Sequence, residues 1–203
     1  MGLSIREDMG ENESKLRIRR AALALVEGVP VVLEAYGGIG QVYRALYHDV
    51  ETGVVLEKDP GKVDDLVLQR PTWAVYECDT PRALADGAGS HLEVNYVDID
   101  PYGDPWPAIE AFFSSTRPRT NRLVIVVTDG MKRKINMGAW QLKSFQDAVA
   151  VFGNHFRDRY MEVCKWMLTR YAEKSGYKLV KFAGYRSGHL GQMFHYAGVM
   201  ERA

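Results

Sequence analysis

The chain has 203 residues, 46% of them hydrophobic and 26% charged, which suits one domain with a full core and leaves no room for a second of useful size. Its 26 basic and 26 acidic side chains cancel, so no global field steers it onto nucleic acid and any such contact has to be local. Cys78 and Cys164 form no C-x-x-C pair, so neither a zinc site nor a disulfide framework is indicated and no metal is expected. Free thiols and the lack of an apolar leader point to a cytoplasmic protein, and the longest apolar runs are too short to span a bilayer.

Residues 1–12 are polar and without periodicity, which reads as a flexible tail before a single domain over 13–203. Over 13–27, Leu16, Ile18, Ala21, Leu23, Leu25 and Val26 are interspersed with Lys15, Arg17, Arg19 and Arg20, the pattern of an amphipathic helix stopped by Gly28 and Pro30. Its arginines read as a solvated basic face. Next, Val31-Val32-Leu33-Glu34-Ala35 is an apolar run ending in Tyr36-Gly37-Gly38-Ile39-Gly40, a buried parallel strand running into a tight turn, with 41–47 as the helix the turn opens. The glycines let the backbone approach a ligand and the helix start offers unpaired N–H groups. The spacing of Gly37, Gly38 and Gly40 does not meet the dinucleotide pattern G-x-G-x-x-G.

The string E-A-Y-G-G-I-G resembles the first motif of class I S-adenosylmethionine-dependent methyltransferases, in which an acid at a strand end precedes a glycine turn. That resemblance implies that Glu34, Tyr36, Gly37, Gly38 and Gly40 shape the methionine end of S-adenosylmethionine. A cationic cofactor suits a carboxylate such as Glu34, whereas a pyrophosphate suits a bare helix dipole. The plain alternative is a strand-turn-helix with no ligand.

A second strand, 53–57, ends at Glu57, roughly twenty residues after the glycine turn, where a doubly wound sheet places a carboxylate on ribose hydroxyls. Asp59-Pro60 then starts a helix over 61–68. A third strand, 73–77, leads to Asp79, which the resemblance sets against the adenine amino group; Asp79-Thr80-Pro81 is equally a cap for a helix over 82–86.

The segment Val94 to Asp98 reads as a fourth strand, followed by Ile99-Asp100-Pro101-Tyr102-Gly103-Asp104-Pro105 at the ligand-binding carboxyl edge of the sheet. Methylating an exocyclic amine requires that its lone pair be freed from ring conjugation and aimed at the methyl group. A carboxylate and a backbone carbonyl accepting its two N–H bonds do that while an aromatic ring stacks on the base. Asp100, the Pro101 carbonyl and Tyr102 supply those parts in a row. The segment resembles the Asp/Asn-Pro-Pro-Tyr/Phe motif of amino-directed methyltransferases, and more closely the Asp-Pro-Phe-Gly-Ser-Pro form of dimethylguanosine tRNA methyltransferases. Tyr102 stands here for the phenylalanine and Asp104 for the serine. The resemblance reaches the catalytic half of those enzymes at most, and their RNA-binding domain finds no room in this chain. Read structurally, Pro101, Gly103 and Pro105 make a turn into a helix over 106–113. Cytosine carbon-5 methylation fits poorly, because no cysteine lies on the fourth strand.

After a basic linker over 114–122, Leu123 to Thr128 is the clearest buried strand, and Lys132, Arg133 and Lys134 follow it as a loop that either holds substrate phosphates or is simply solvated. Helices are expected over 141–152 and 154–174, the latter with Cys164 in its core face, and two strands over 178–185 and 192–200 close the chain. His189 and His195 read as structural.

The expected architecture is α/β, a Rossmann-like class I methyltransferase fold: a mostly parallel seven-stranded sheet, its last strand antiparallel, with helices on both faces. The expected function is S-adenosylmethionine-dependent methylation of a nucleobase exocyclic amine, with guanine in RNA the leading acceptor. The rivals are a DNA or small-molecule amino-methyltransferase and a non-catalytic cofactor- or partner-binding module, and a partner subunit could supply target recognition.

Overall fold

The computed structural model describes residues 5–138 and 145–203, with side chains from residue 13 onward. Seven strands form one sheet: β1 (Val31–Ala35), β2 (Thr52–Glu57), β3 (Ala74–Glu77), β4 (Tyr96–Ile99), β5 (Arg122–Asp129), β6 (Tyr177–Ser187) and β7 (Met193–Arg202). Their order is β3-β2-β1-β4-β5-β7-β6. The first five pair in parallel, and β7 runs antiparallel to both neighbours, so the expected mixed sheet is borne out. The strand order reverses between β1 and β4, and the crevice outside the carboxyl ends of those two strands is where such sheets take ligands.

The helices are α1 (Ile5–Leu23), α2 (Pro60–Gln69), α3 (Thr80–Ala85), α4 (Trp106–Ser114), α5 (Met131–Asn136), α6 (Gln146–Phe152) and α7 (Tyr160–Lys174). They cover both faces, which is why β1, β2, β4 and β5 read as near-continuous apolar runs instead of alternating ones. The strand period of two sends Leu33, Val54, Val97 and Ile125 to one core with Trp106, Phe112 and Leu168. Val32, Val55, Tyr96 and Val124 go to the other, with Ile18, Tyr47, Leu66 and Trp73. Gly53 belongs to this second packing, because a Cβ there would lie 2.6 Å from the Trp73 indole.

Several boundaries differ from expectation. α1 starts at Ile5, inside the stretch expected as a tail. After the glycine turn the helix widens into a π turn over Tyr43–Tyr47, which sets both buried tyrosine rings against Trp73. Lys132, Arg133 and Lys134 lie on α5 instead of in a loop, because Asp129 Oδ1 accepts the Met131 N–H at 2.8 Å and secures the helix start. The helix expected from 154 begins at Tyr160, after a short turn over Gly153–His155. The first residues of the helix expected over 141–152 lie outside the described residues, and α6 covers the remainder from Gln146. No helix among the described residues is long and apolar enough to cross a membrane.

The basic face of α1 also divides. Arg17 and Arg20 are exposed as expected, but Arg19 is fully buried. Its Nε and Nη2 donate to the two Asp98 oxygens at 2.7 and 2.8 Å, and Nη2 also reaches Thr128 Oγ1 at 3.2 Å. Tyr47 OH donates to Asp98 Oδ2 at 2.7 Å, and Tyr96 OH to the Arg19 carbonyl at 3.2 Å. Burial raises the Asp98 pKa against the pull of Arg19. Removing one partner from such a pair strands the other charge. Arg19→Met is therefore expected to destabilise the protein by about 3–5 kcal/mol in denaturant titration, and Arg19→Met with Asp98→Leu by clearly less. Equal losses in the single and double variants would show that the pair is not what anchors α1.

Candidate active site

The glycine turn is built by β2. The N–H groups of Tyr36 and Gly37 both donate to the Leu56 carbonyl at 3.0 Å, and Gly40 N–H returns to the Gly37 carbonyl at 3.0 Å. A Cβ on Gly37 would lie 2.4 Å from Val55 Cγ2, so only glycine lets β1 leave the sheet this close to β2. Gly38, at φ +55°, has nothing within 4 Å of its Cβ position, so the turn is open there. Tyr36 takes φ 73°, a left-handed conformation that costs a non-glycine residue roughly 1–2 kcal/mol. Its hydroxyl pKa is pushed up to about 12 by burial and by the nearby Asp79 and Asp104 carboxylates.

Glu57 clamps the turn. Its Oε2 accepts the Gly38 N–H at 2.8 Å, and its Oε1 accepts those of Lys58 and Asp59 at 2.9 and 3.0 Å. A carboxylate offers about four acceptor sites, so one remains for a ligand hydroxyl. Asp79, at the neighbouring strand end, is exposed and accepts the Arg82 N–H at 3.2 Å as the cap of α3. Glu34 is placed differently. It is buried beneath the turn with Oε2 2.6 Å from Arg70 Nη2, and Arg70 lies over the Tyr43 and Trp73 rings at 4.5 and 5.3 Å. Burial pushes the Glu34 carboxyl up to about 8 against the pull of Arg70. Glu34 thus fixes the underside of the turn instead of facing the crevice.

At the end of β4, Asp100 holds two cations: Oδ1 lies 3.4 Å from Lys15 Nζ, and Oδ2 lies 3.3 Å from Arg19 Nη2. Burial alone would raise its pKa, but Arg19, Lys15 and the Thr128 hydroxyl together hold it below the usual carboxylate range. A cavity of 160 Å³ beside it is lined by Lys15, Leu16, Gln41, Val42 and Asp100. The Pro101 carbonyl accepts the Gly103 N–H at 2.9 Å, and the Gly103 carbonyl accepts the Gly130 N–H at 2.9 Å, docking the loop on the end of β5. Between them the Tyr102 ring is fully exposed. Asp104 Oδ1 accepts the Trp106 N–H at 3.0 Å, so its role is to hold the first turn of α4, which a serine does equally well.

The three cations after β5 separate. Lys132 Nζ donates to the Arg157 carbonyl, and burial, with Arg186 and Arg157 close by, lowers its pKa. Lys134 is exposed and reaches the loop after β4, its Nζ 3.3 Å from the Gly103 Cβ position; Arg133 is exposed. Sequence reasoning gave no role to Asp129. It is fully buried, with Oδ2 accepting from Tyr160 OH at 2.9 Å and Tyr196 OH at 3.3 Å. Burial pushes its pKa up to about 7. Its position at the end of the most apolar strand was the one signal available. His195 is buried between Thr128 and Ser187, and burial takes its pKa down to about 4.

Two larger cavities, of 430 and 360 Å³, flank Tyr171 on the face of α4 and α7. The 430 Å³ cavity opens at the amino edge, where Arg117 and Arg119 donate to carbonyls at the ends of α3 and α4. That is helix capping, and no sequence motif converges there, so size does not identify the site; the carboxyl edge does. Among the described residues no group of three His, Cys, Asp or Glu side chains is arranged for a metal.

No family model matches the chain. Over 105 residues, half of this chain and 30% of the relative, it is 30% identical to a tRNA (guanine(26)-N(2))-dimethyltransferase from Thermoplasma volcanium. It thus spans about a third of that protein. The TYW2 structure of M. jannaschii in complex with AdoMet superposes at a TM-score of 0.56 and 17% identity, covering 100% of this chain and 79% of that one. The N-methyltransferase NodS from Bradyrhizobium japonicum WM9 gives 0.60 and 11%, covering 98% and 99%. The chain shares the class I methyltransferase fold with these two solved structures, as its glycine-turn motif implied.

Asp129 sets a pH dependence. Its folded pKa of about 7 lies above the unfolded carboxylate value, so the folded state holds a proton the unfolded state has lost; the contribution is complete below pH ~4 and vanishes as pH rises through 7. His195, shifted down, works in the opposite sense between about 6.5 and 4. Comparing wild type with Asp129→Asn isolates the first effect: between pH 5 and 8 the wild type should lose more stability in denaturant than the variant. Parallel losses would mean that Asp129 is ionised throughout.

Proposed function

We propose that this chain is an S-adenosylmethionine-dependent methyltransferase acting on an exocyclic amine of a nucleobase, with guanine in RNA as the acceptor. The observation that carries the reading is the adjacency, across β1 and β4, of a glycine turn open at Gly38 and an Asp100-Pro101-Tyr102 loop whose aromatic ring is wholly exposed. The partial similarity to a tRNA guanine-N2 dimethyltransferase supports RNA guanine, and the AdoMet bound by TYW2 supports the cofactor. The residues fit the cofactor: the open turn at Gly38 receives its amino-acid end, Glu57 keeps one acceptor site for the ribose, and exposed Asp79 faces the adenine.

When bound, S-adenosylmethionine supplies an electrophilic methyl group on a sulfonium. The rest is positioning. Asp100 and the second lone pair of the Pro101 carbonyl accept the N–H bonds of the amine, turning its lone pair out of conjugation, and Tyr102 stacks on the base. The methylated amine would shed its proton to water, so no strong base is needed. Lys134, beside the loop after β4, meets substrate phosphates together with exposed Arg133, while Lys132 is turned to the Arg157 carbonyl. A partner subunit supplying target recognition and a cytoplasmic setting belong to the same reading. The balanced charge favours a small-molecule acceptor as the second reading.

The test is transfer of labelled methyl groups to separate pools of transfer RNA, ribosomal RNA, duplex DNA and metabolites. Labelled methylguanosine from one RNA pool is the expected result. Asp100→Ala should lower transfer by about a hundredfold or more while cofactor affinity stays within a few fold. Loss of cofactor binding in that variant would move Asp100 to a structural role, and labelling of the metabolite pool alone would favour the second reading.

A further inference from the structure

We propose that Lys15 takes the carboxylate at the amino-acid end of the cofactor and, in moving to it, releases Asp100 to accept the target amine. This rests on the methyltransferase reading above.

Asp100 has a cation on each oxygen, Lys15 at 3.4 Å and Arg19 at 3.3 Å, and the two cations are held very differently. Arg19 is fully buried and committed to Asp98 through two bonds of 2.7 and 2.8 Å, so it cannot leave without stranding that carboxylate. Lys15 is 30% exposed at the cavity it shares with Leu16, Gln41, Val42 and Asp100. Its ammonium is a point charge on a flexible stem with three rotatable donors, and a partly exposed pair of this kind is weak. Of the two cations, Lys15 is the one that can exchange partners.

The cavity suits the end of an α-amino acid. Two of its lining residues, Gln41 and Val42, directly follow the glycine turn in the chain. Leu16 and Val42 give aliphatic walls, Gln41 an amide and Lys15 the cation for a carboxylate. Arg19, Lys15, Asp98 and Asp100 together are neutral, and a zwitterionic amino-acid end leaves that balance unchanged. Once Lys15 turns to the incoming carboxylate, Asp100 Oδ1 loses its cation while Oδ2 stays fixed by Arg19. One oriented acceptor then becomes available, which makes cofactor binding precede productive amine binding.

The experiment is calorimetric binding of S-adenosylmethionine, S-adenosylhomocysteine and 5′-methylthioadenosine, which keeps the adenosine and sulfur but lacks the amino-acid end, to wild type, Lys15→Met and Lys15→Arg. Lys15→Met should weaken the first two ligands by about tenfold or more and leave methylthioadenosine within about twofold, and Lys15→Arg should recover most of the loss. Equal weakening of all three ligands would overturn the proposal in favour of a structural role. Unchanged or tighter binding of S-adenosylmethionine by Lys15→Met would overturn it in favour of simple shielding of Asp100. If wild type binds methylthioadenosine and not the two longer ligands, the carboxylate contact alone fails; if it binds none, the methyltransferase reading falls with it.

Discussion

The bond between Arg19 and Asp98 governs the arrangement of the carboxyl edge. It joins positions 79 residues apart, tying α1 to the central strand β4, with both charges removed from water. Such a pair survives only when almost every lone pair and proton is matched, and here the match extends through Tyr47, Tyr96 and Thr128. Asp100 lies two residues beyond Asp98 on the same face of the chain, and Lys15 lies one helical turn before Arg19, so the buried pair fixes a second, wetter pair above it. A dry anchor and a wet contact are thus stacked along one helix face.

The glycine turn is constrained from three sides. Beneath it, Glu34 and Arg70 are wedged with Tyr43 and Trp73; from β2, Leu56 takes two of its N–H groups; from the strand end, Glu57 takes a third. A tyrosine in a left-handed conformation persists at position 36 because the surroundings over-determine it. The turn is therefore shaped before any ligand arrives, which reduces the ordering cost of binding.

Much of this was legible in the sequence. The runs at Val31, Val54 and Leu123 mark buried parallel strands, and Glu57, Asp79 and Asp100 each stand at or just past the carboxyl end of a parallel strand, displayed along the edge in the order Asp79, Glu57, Asp100. Partnerships across distance were not legible. Nothing local separates Arg19 from Arg17 or Arg20; what decides its burial is a carboxylate on another element. Glu34 was expected to face the cofactor because its pattern is that of a strand-end acid, yet the strand's alternation turns it to the side where Arg70 arrives from the end of α2. Lys132 to Lys134 have no apolar periodicity to announce a helix, and the capping carboxylate of Asp129 supplies what periodicity does not.

The reversed direction of β7 has a consequence for how this edge can diversify. Strands joined by helices must deliver their loops through the packed layers, whereas β6 and β7 meet in a bare hairpin whose tip, Gly188 to Gly191, emerges on the same side as Tyr102. Residues inserted at that tip would extend over the acceptor loop without disturbing a helix, a parallel register or either core. The hairpin is thus the cheapest place on this framework to acquire a lid or a new selectivity, and chain length there is a variable that the rest of the fold does not feel.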